Sequence, residues 1–193
     1  NVYSSKGAIH YITETEIEKA KPYLIKKINS QKVVSLILGG PNKYYSFDEA
    51  QLIQIFDKIK SNFVSEGYKV IVIPSMRTPK ASIELAKKEM GSYGHVVNSV
   101  DKQAYLSAYA LANYIVVTCD STSMISEAAT SGKPIFIAHM NAKRNNYRFK
   151  RFFDLFKKMG IARDLGEKIE TWSYNKHNEA ERIATLINNK IKN

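Results

Sequence analysis

Apolar residues in this chain come in short unbroken runs, separated by longer stretches in which they recur every three or four positions. Val33-Val34-Ser35-Leu36-Ile37-Leu38 is one such run, and it ends in Gly39-Gly40-Pro41, so it reads as a buried strand entering a tight loop. Ser46-x-x-Glu49 has the form of a capping box ahead of Leu52, Ile53, Phe56, Ile59 and Phe63, which lie at helical spacing. The alternation then repeats: strand 69–73, loop 74–79, helix 80–90, short strand 95–97, helix 103–112, strand 114–118, loop 119–121 and helix 122–131. Gly132 and Pro134 stop that helix ahead of strand 135–138. Continuous apolar strands between amphipathic helices predict an α/β fold, a Rossmann-like three-layer domain with a parallel sheet covered on both faces.

Both ends of the chain depart from this cycle. Residues 1–10 read as the end of an earlier strand and loop, and 13–29 as one helix capped by Thr13-x-x-Glu16. After Ala138 come a polar basic loop, a helix over 147–159, an irregular stretch around Trp172-Ser173-Tyr174 and a last helix over 178–191, expected to pack back across the domain. The expected division is 1–30 as a linker and helix leaving an N-terminal domain absent from the sequence, and 31–193 as the Rossmann-like domain.

Charge adds a second theme. Lys and Arg number 29 against 18 Asp and Glu, for a net +11, and eight of those cations fall between Asn141 and Arg163 against Asp154 alone. A cluster of that kind suits nucleotide phosphates, an anionic membrane, nucleic acid or an acidic patch on another domain, and it is equally the mark of a solvated helix face. No zinc-finger, RNA-recognition or helix-turn-helix pattern accompanies it, so nucleic acid is not the expected partner. Apolar residues make up 44% of the chain, enough for a packed core, which excludes a disordered polypeptide. Cys119, the only cysteine, cannot pair within the chain and reads as a small buried hydrophobe, which fits a reducing, cytoplasmic location. Neither a spanning apolar run nor a signal-peptide pattern occurs, so a soluble or peripheral protein is expected.

Candidate chemistry belongs to the loops that follow the strands, because ligands of open parallel sheets bind outside the strands' carboxyl ends. Gly39, Gly40, Pro41 and Asn42 form the first such loop, which is either a plain turn or a place where backbone approaches a ligand. Arg77 and Thr78 in the second offer guanidinium and hydroxyl donors to a phosphate or base, the alternative being a Thr78 helix cap with Arg77 in solvent. In the third, Asp120 or Ser121 can cap a helix whose first turns carry Ser123, Met124 and Ser126 around a terminus suited to anions. Glu127 lies about two turns in, beyond a capping role, on one face with Ser123 and Ser131. A carboxylate there could accept both hydroxyls of a ribose, or be an ordinary surface group. Neither G-x-G-x-x-G nor a P-loop occurs, the four histidines have no metal-ligand spacing, and no G-x-S-x-G elbow is present. No metal or cofactor is expected.

Taken in order, the strand into Gly39-Gly40-Pro41, Arg77-Thr78-Pro79, Val116-Val117-Thr118 with Asp120-Ser121-x-Ser123-Met124-x-Ser126-Glu127-Ala128, Gly132-Lys133-Pro134, Arg148-Phe149-x-Arg151-Phe152 and Trp172-Ser173-Tyr174 form a specific set. The set resembles the mitochondrial-fission elongated-mitochondria family of plants and bacteria, and specifically its C-terminal half. Phe153 stands where that family often carries His, and His177 where an apolar residue is usual. The resemblance implies the C-terminal domain of a GT-B fold, gripping a nucleoside-diphosphate sugar in a cleft shared with the N-terminal domain. The stretch from Ser126-Glu127 to Pro134 is also similar to the donor-site helix of peptidoglycan and galactolipid glycosyltransferases, which implies a ribose contact for Glu127. It implies pyrophosphate near Gly40 and Ser121–Ser123, with Arg77 or Arg148 assisting, and a glycosyltransferase inactive without its other half. The helix over 147–159 follows strand 135–138 directly, so its start is expected at the same sheet edge as the Asp120 loop, with Lys143, Arg144 and Arg148 within reach of a diphosphate there. The competing expectation is a non-catalytic GT-B-like scaffold that recruits partners to an anionic membrane through the 143–163 cluster.

Overall fold

Six parallel strands make one sheet in the order β3-β2-β1-β4-β5-β6, as a computed structural model describing residues 2–166 and 168–192 shows. They are β1 (Val33–Leu38), β2 (Lys69–Pro74), β3 (Gly94–Val96), β4 (Tyr114–Thr118), β5 (Ile135–Ala138) and β6 (Ala162–Asp164). The central strands are buried along their whole length, as continuous apolar runs require when helices cover both faces. The order in which strands are added reverses between β1 and β4, which pair in parallel from Val34 with Tyr114 to Ile37 with Val117, so the loops after these two strands diverge from one point at the sheet's carboxyl edge. This is the expected Rossmann-like three-layer domain.

The described residues also form eight α-helices: α1 (Glu14–Ala20), α2 (Pro22–Ile28), α3 (Glu49–Asn62), α4 (Lys80–Met90), α5 (Lys102–Leu111), α6 (Thr122–Ala129), α7 (Tyr147–Lys158) and α8 (Glu179–Ile191). Thr13 caps α1 through a complete capping box with Glu16, as its spacing predicts. The single helix expected over 13–29 is instead two, because Pro22 has no N–H to continue the helical hydrogen bonding. Ile17, Ala20, Leu24 and Ile28 join the core from this pair, and the Leu24 N–H donates to Ser107 on α5 at 3.1 Å.

Three further differences have local causes. Asp48, not Ser46, caps α3, accepting from the Gln51 N–H at 3.1 Å, because the helix starts two residues later than the Ser-x-x-Glu spacing suggests. β6 escaped the apolar pattern since only Ala162 of its three residues is buried. The last helix does not pack back across the domain: within α8 only Glu179 is buried, while Leu186, Ile187 and Ile191 are exposed.

A strap over residues 4–8 ties distant elements together. The Lys6 N–H donates to Glu179 at 2.8 Å, the Ala8 N–H to Ser126 Oγ at 3.0 Å, and Arg182 Nη2 to the Ser4 carbonyl at 2.7 Å. Gly7 passes over Phe156 of α7 so closely that a Cβ there would press on the ring.

Candidate functional site

The β1 and β4 loops are welded at the strand ends. Asp120, fully buried, accepts the Gly40 N–H at 3.0 Å and Arg77 Nη2 at 2.8 Å on one oxygen, and the Thr118 hydroxyl at 2.7 Å on the other. Arg77 Nη1 also donates to the Gly40 carbonyl at 2.8 Å, and the Thr78 hydroxyl lies within hydrogen-bond reach of the Leu38 and Gly39 carbonyls. A Cβ on Gly39 would overlap the Asp120 carboxylate, and one on Gly40 would overlap the Arg77 carbonyl. The two glycines therefore admit protein rather than leave an open cradle, and the Gly40 amide is already engaged. Asn42 continues the weld, with its amide donating to the Asp120 carbonyl at 3.0 Å and its Oδ1 accepting the Tyr44 and Tyr45 N–H groups, while Pro41 is exposed beside it. Thr78 does not cap α4, whose N-cap is Pro79.

Above this platform opens a cleft of about 340 Å³, lined by Arg77, Ser121, Met124 and Glu127 together with Tyr105 and Tyr11. Ser121 is the N-cap of α6, accepting weakly from the Met124 N–H at 3.4 Å. Glu127, on the same helix, accepts the Tyr105 hydroxyl at 2.5 Å, and Tyr105 in turn accepts the Tyr109 hydroxyl at 2.6 Å. Two tyrosines one helical turn apart on α5 thus fix one oxygen of the carboxylate, while Oε1 accepts no hydrogen bond from the described residues. Burial pushes the Glu127 carboxyl above its ordinary range, opposed by the Tyr105 hydrogen bond and by the charge of nearby His10. Exposed apolar side chains gather at the mouth, where Tyr11, Met76 and Val100 all line the cleft.

Not every residue singled out from sequence meets here. Ser123 is exposed outside the cleft, and Ser126 is buried, its hydroxyl donating to the Thr122 carbonyl and accepting from Ala8. Arg148 lines a separate groove with Thr122, so it does not join Arg77 and Glu127. Lys143 and Arg144 also stay away, the first reaching the Asn42 carbonyl at 3.4 Å and the second lying over the Tyr44 ring. Sequence reading passed over Tyr105 and Tyr109, whose spacing says only that both occupy one helix face. Nothing local shows that this face meets a carboxylate 22 positions later.

A raised carboxyl makes a testable statement about stability. Because Glu127 ionises less readily folded than unfolded, its favourable contribution exists at acid pH and is lost as pH rises through the folded value. Glu127→Gln keeps an acceptor for Tyr105 without the charge. It is expected to melt higher than the parent at pH 7, with the difference vanishing near pH 4 in paired thermal scans, at the lower edge of the ordinary glutamate range of about 4.3.

Among the described residues, no group of three or more His, Cys, Asp or Glu side chains could hold a metal ion, and no helix is long and apolar enough to cross a membrane. Compared with known proteins, the chain is 30% identical to Rickettsia prowazekii (strain Madrid E) protein RP120, over 94% of this chain and 53% of that protein. It is 26% identical to mitochondrial fission protein ELM1 of Arabidopsis thaliana over 99% of this chain and 46% of that one. The chain thus spans about half the length of the curated relatives it matches. Among solved structures, the S. aureus MnaA–UDP co-structure superposes with a TM-score of 0.48 at 14% identity, over 92% of this chain and 40% of that one. The family described as mitochondrial fission ELM1 matches residues 1–191, nearly the whole sequence, and the chain belongs to that family.

Proposed function

We propose that this domain binds a nucleoside diphosphate sugar, as the donor-binding half of a GT-B-like glycosyltransferase. The observation that carries the reading is Glu127, a carboxylate kept half-buried in a cleft at the switch point with one oxygen fixed by Tyr105 and the other open. A ribose diol offers two adjacent donors to such a group. Tyr11, Met76 and Val100 at the mouth suit the flat apolar faces of a base, and the open first turn of α6 beside Ser121 suits the diphosphate. Since Arg77 is held by Asp120 and Gly40, its part is to fix the loops and lend positive charge at the cleft rim. The general base for transfer would come from the part of the full-length relatives that lies outside this chain, so the domain is assigned binding and no catalytic step.

Calorimetry with uridine, adenosine and guanosine diphosphates tests this directly. At least one should bind, and Glu127→Ala should weaken it by about ten- to a hundredfold, the worth of a charge-assisted hydrogen bond. Absence of binding to all three, or equal binding by the variant, would remove the proposal.

A further inference from the structure

Across the α6 N-terminus from this cleft lies a second groove of about 560 Å³. The strap, through Ser5–Ala8, forms one wall and α7 the other, with Thr122 between them. The rim carries Lys6, Arg148 and Arg151, all exposed, over a floor of Phe149, Phe152 and Leu155. Among the described residues neither Lys6 nor Arg148 has an ion-pair partner, and Arg151 is engaged only with the exposed Tyr147 ring, 5.8 Å from its centroid. Along α7, Arg148, Phe149, Arg151, Phe152 and Leu155 thus line the groove with cations and apolar side chains together, in an arrangement that a free phosphate would use only in part.

Two occupants fit cationic rims over apolar floors: an acidic amphipathic peptide and an anionic lipid. A peptide lying along the strap would look for an unbroken run of main-chain partners, and three of the strap's are already taken. The Lys6 N–H is bonded to Glu179, the Ala8 N–H to Ser126, and the Gly7 carbonyl to the Ser5 hydroxyl. A lipid needs no main-chain partner. It needs cations for its phosphate and apolar surface for the start of its chain, and an aromatic ring at the edge suits the interfacial region.

We propose that the groove between the strap and α7 binds an anionic lipid, with its phosphate among Lys6, Arg148 and Arg151 and its first methylenes on Phe149, Phe152 and Leu155. This site is separate from the nucleoside cleft and stands whether or not that cleft binds nucleotide. Flotation of the 193-residue chain with phosphatidylcholine vesicles, with and without phosphatidic acid, reads it out. Binding is expected only to the anionic vesicles. Arg148→Glu/Arg151→Glu should weaken it by about thirtyfold, the effect of losing two cations at a membrane surface. Lys150→Glu/Lys158→Glu, which changes net charge equally on the same helix but outside the groove, should cost less than about threefold. Should the charge reversal disturb folding, the milder pair Arg148→Gln/Arg151→Gln takes its place. Short-chain phosphatidic acid below its micellar concentration should compete with the vesicles, and inorganic phosphate at equal ionic strength should not.

Equal losses in the two double variants would show diffuse charge and overturn the site. Competition by inorganic phosphate as strong as by the short-chain lipid would make it a phosphate site without a lipid. Tighter binding to a polyglutamate peptide than to vesicles would replace the lipid with an acidic protein.

Discussion

Asp120→Ala is expected to destabilise the domain by about 2–4 kcal/mol, lowering the melting temperature by roughly 5–15 °C. The carboxylate has no exposed surface and receives three hydrogen bonds, from Gly40, Arg77 and Thr118. Removing it leaves the Gly40 N–H and the Thr118 hydroxyl without that acceptor in a dry environment, at a cost of about 1–3 kcal/mol per buried group. Arg77 adds less than a fully buried partner would, because its side chain is 41% exposed and can regain water. Asp120→Asn should cost about half as much. The shape survives, and the Thr118 hydroxyl, which already accepts the Gly39 N–H at 2.8 Å, can also accept the new amide at the expense of its own donor contact. Thermal unfolding of the three proteins orders them; an alanine variant as stable as the parent would show that the weld carries no energy.

Gly40→Ala is the second large effect, at about 3 kcal/mol, the upper end of what overpacking usually costs. What a Cβ would meet is the backbone carbonyl of Arg77, and backbone cannot swing aside as a side-chain end can. Relief requires the β1 and β2 loops to part, which stretches the Arg77-to-Gly40 bond and draws Gly40 from Asp120. A melting point lower by roughly 6–12 °C is expected. Gly91→Ala, where a Cβ meets nothing within 4 Å and the backbone is helical, serves as the control and should leave the melting point nearly unchanged. The cleft rests on this weld, so nucleotide affinity should fall in Gly40→Ala and stay in Gly91→Ala.

The contrast between these glycines shows what the linear chain discloses. Apolar runs such as 33–38 and 114–118 announce buried parallel strands because both faces of such a strand are covered, and composition alone then suffices. β6 leaves no such mark, being an edge strand of which only Ala162 is buried. Helix starts were legible where the cap is local, as at Thr13, and misplaced at Ser46, where two candidate caps lie two residues apart and only packing against the sheet selects Asp48. In the site, Glu127 was visible as a carboxylate too deep in its helix for capping. Gly40 was visible as a close approach, but that the protein makes it depends on the Arg77 carbonyl, 37 positions away. The start of α7 was expected at the sheet edge of the Asp120 loop, yet Arg148 lines the groove beside Thr122 while Glu127 lines the cleft beside Ser121 and Met124.

The strap carries a consequence for how the chain reaches this structure. Its partners lie 118 positions onward at Ser126 and 173 onward at Glu179, so a ribosome releases the strap long before anything exists for it to grip. The β1-to-β5 sheet closes through shorter loops and can condense first, while the strap waits on the last helix to emerge. During that interval the Phe156 ring and the hydroxyl of Ser126 lack their cover, and the half-made domain presents to chaperones the very surface that the finished one hides.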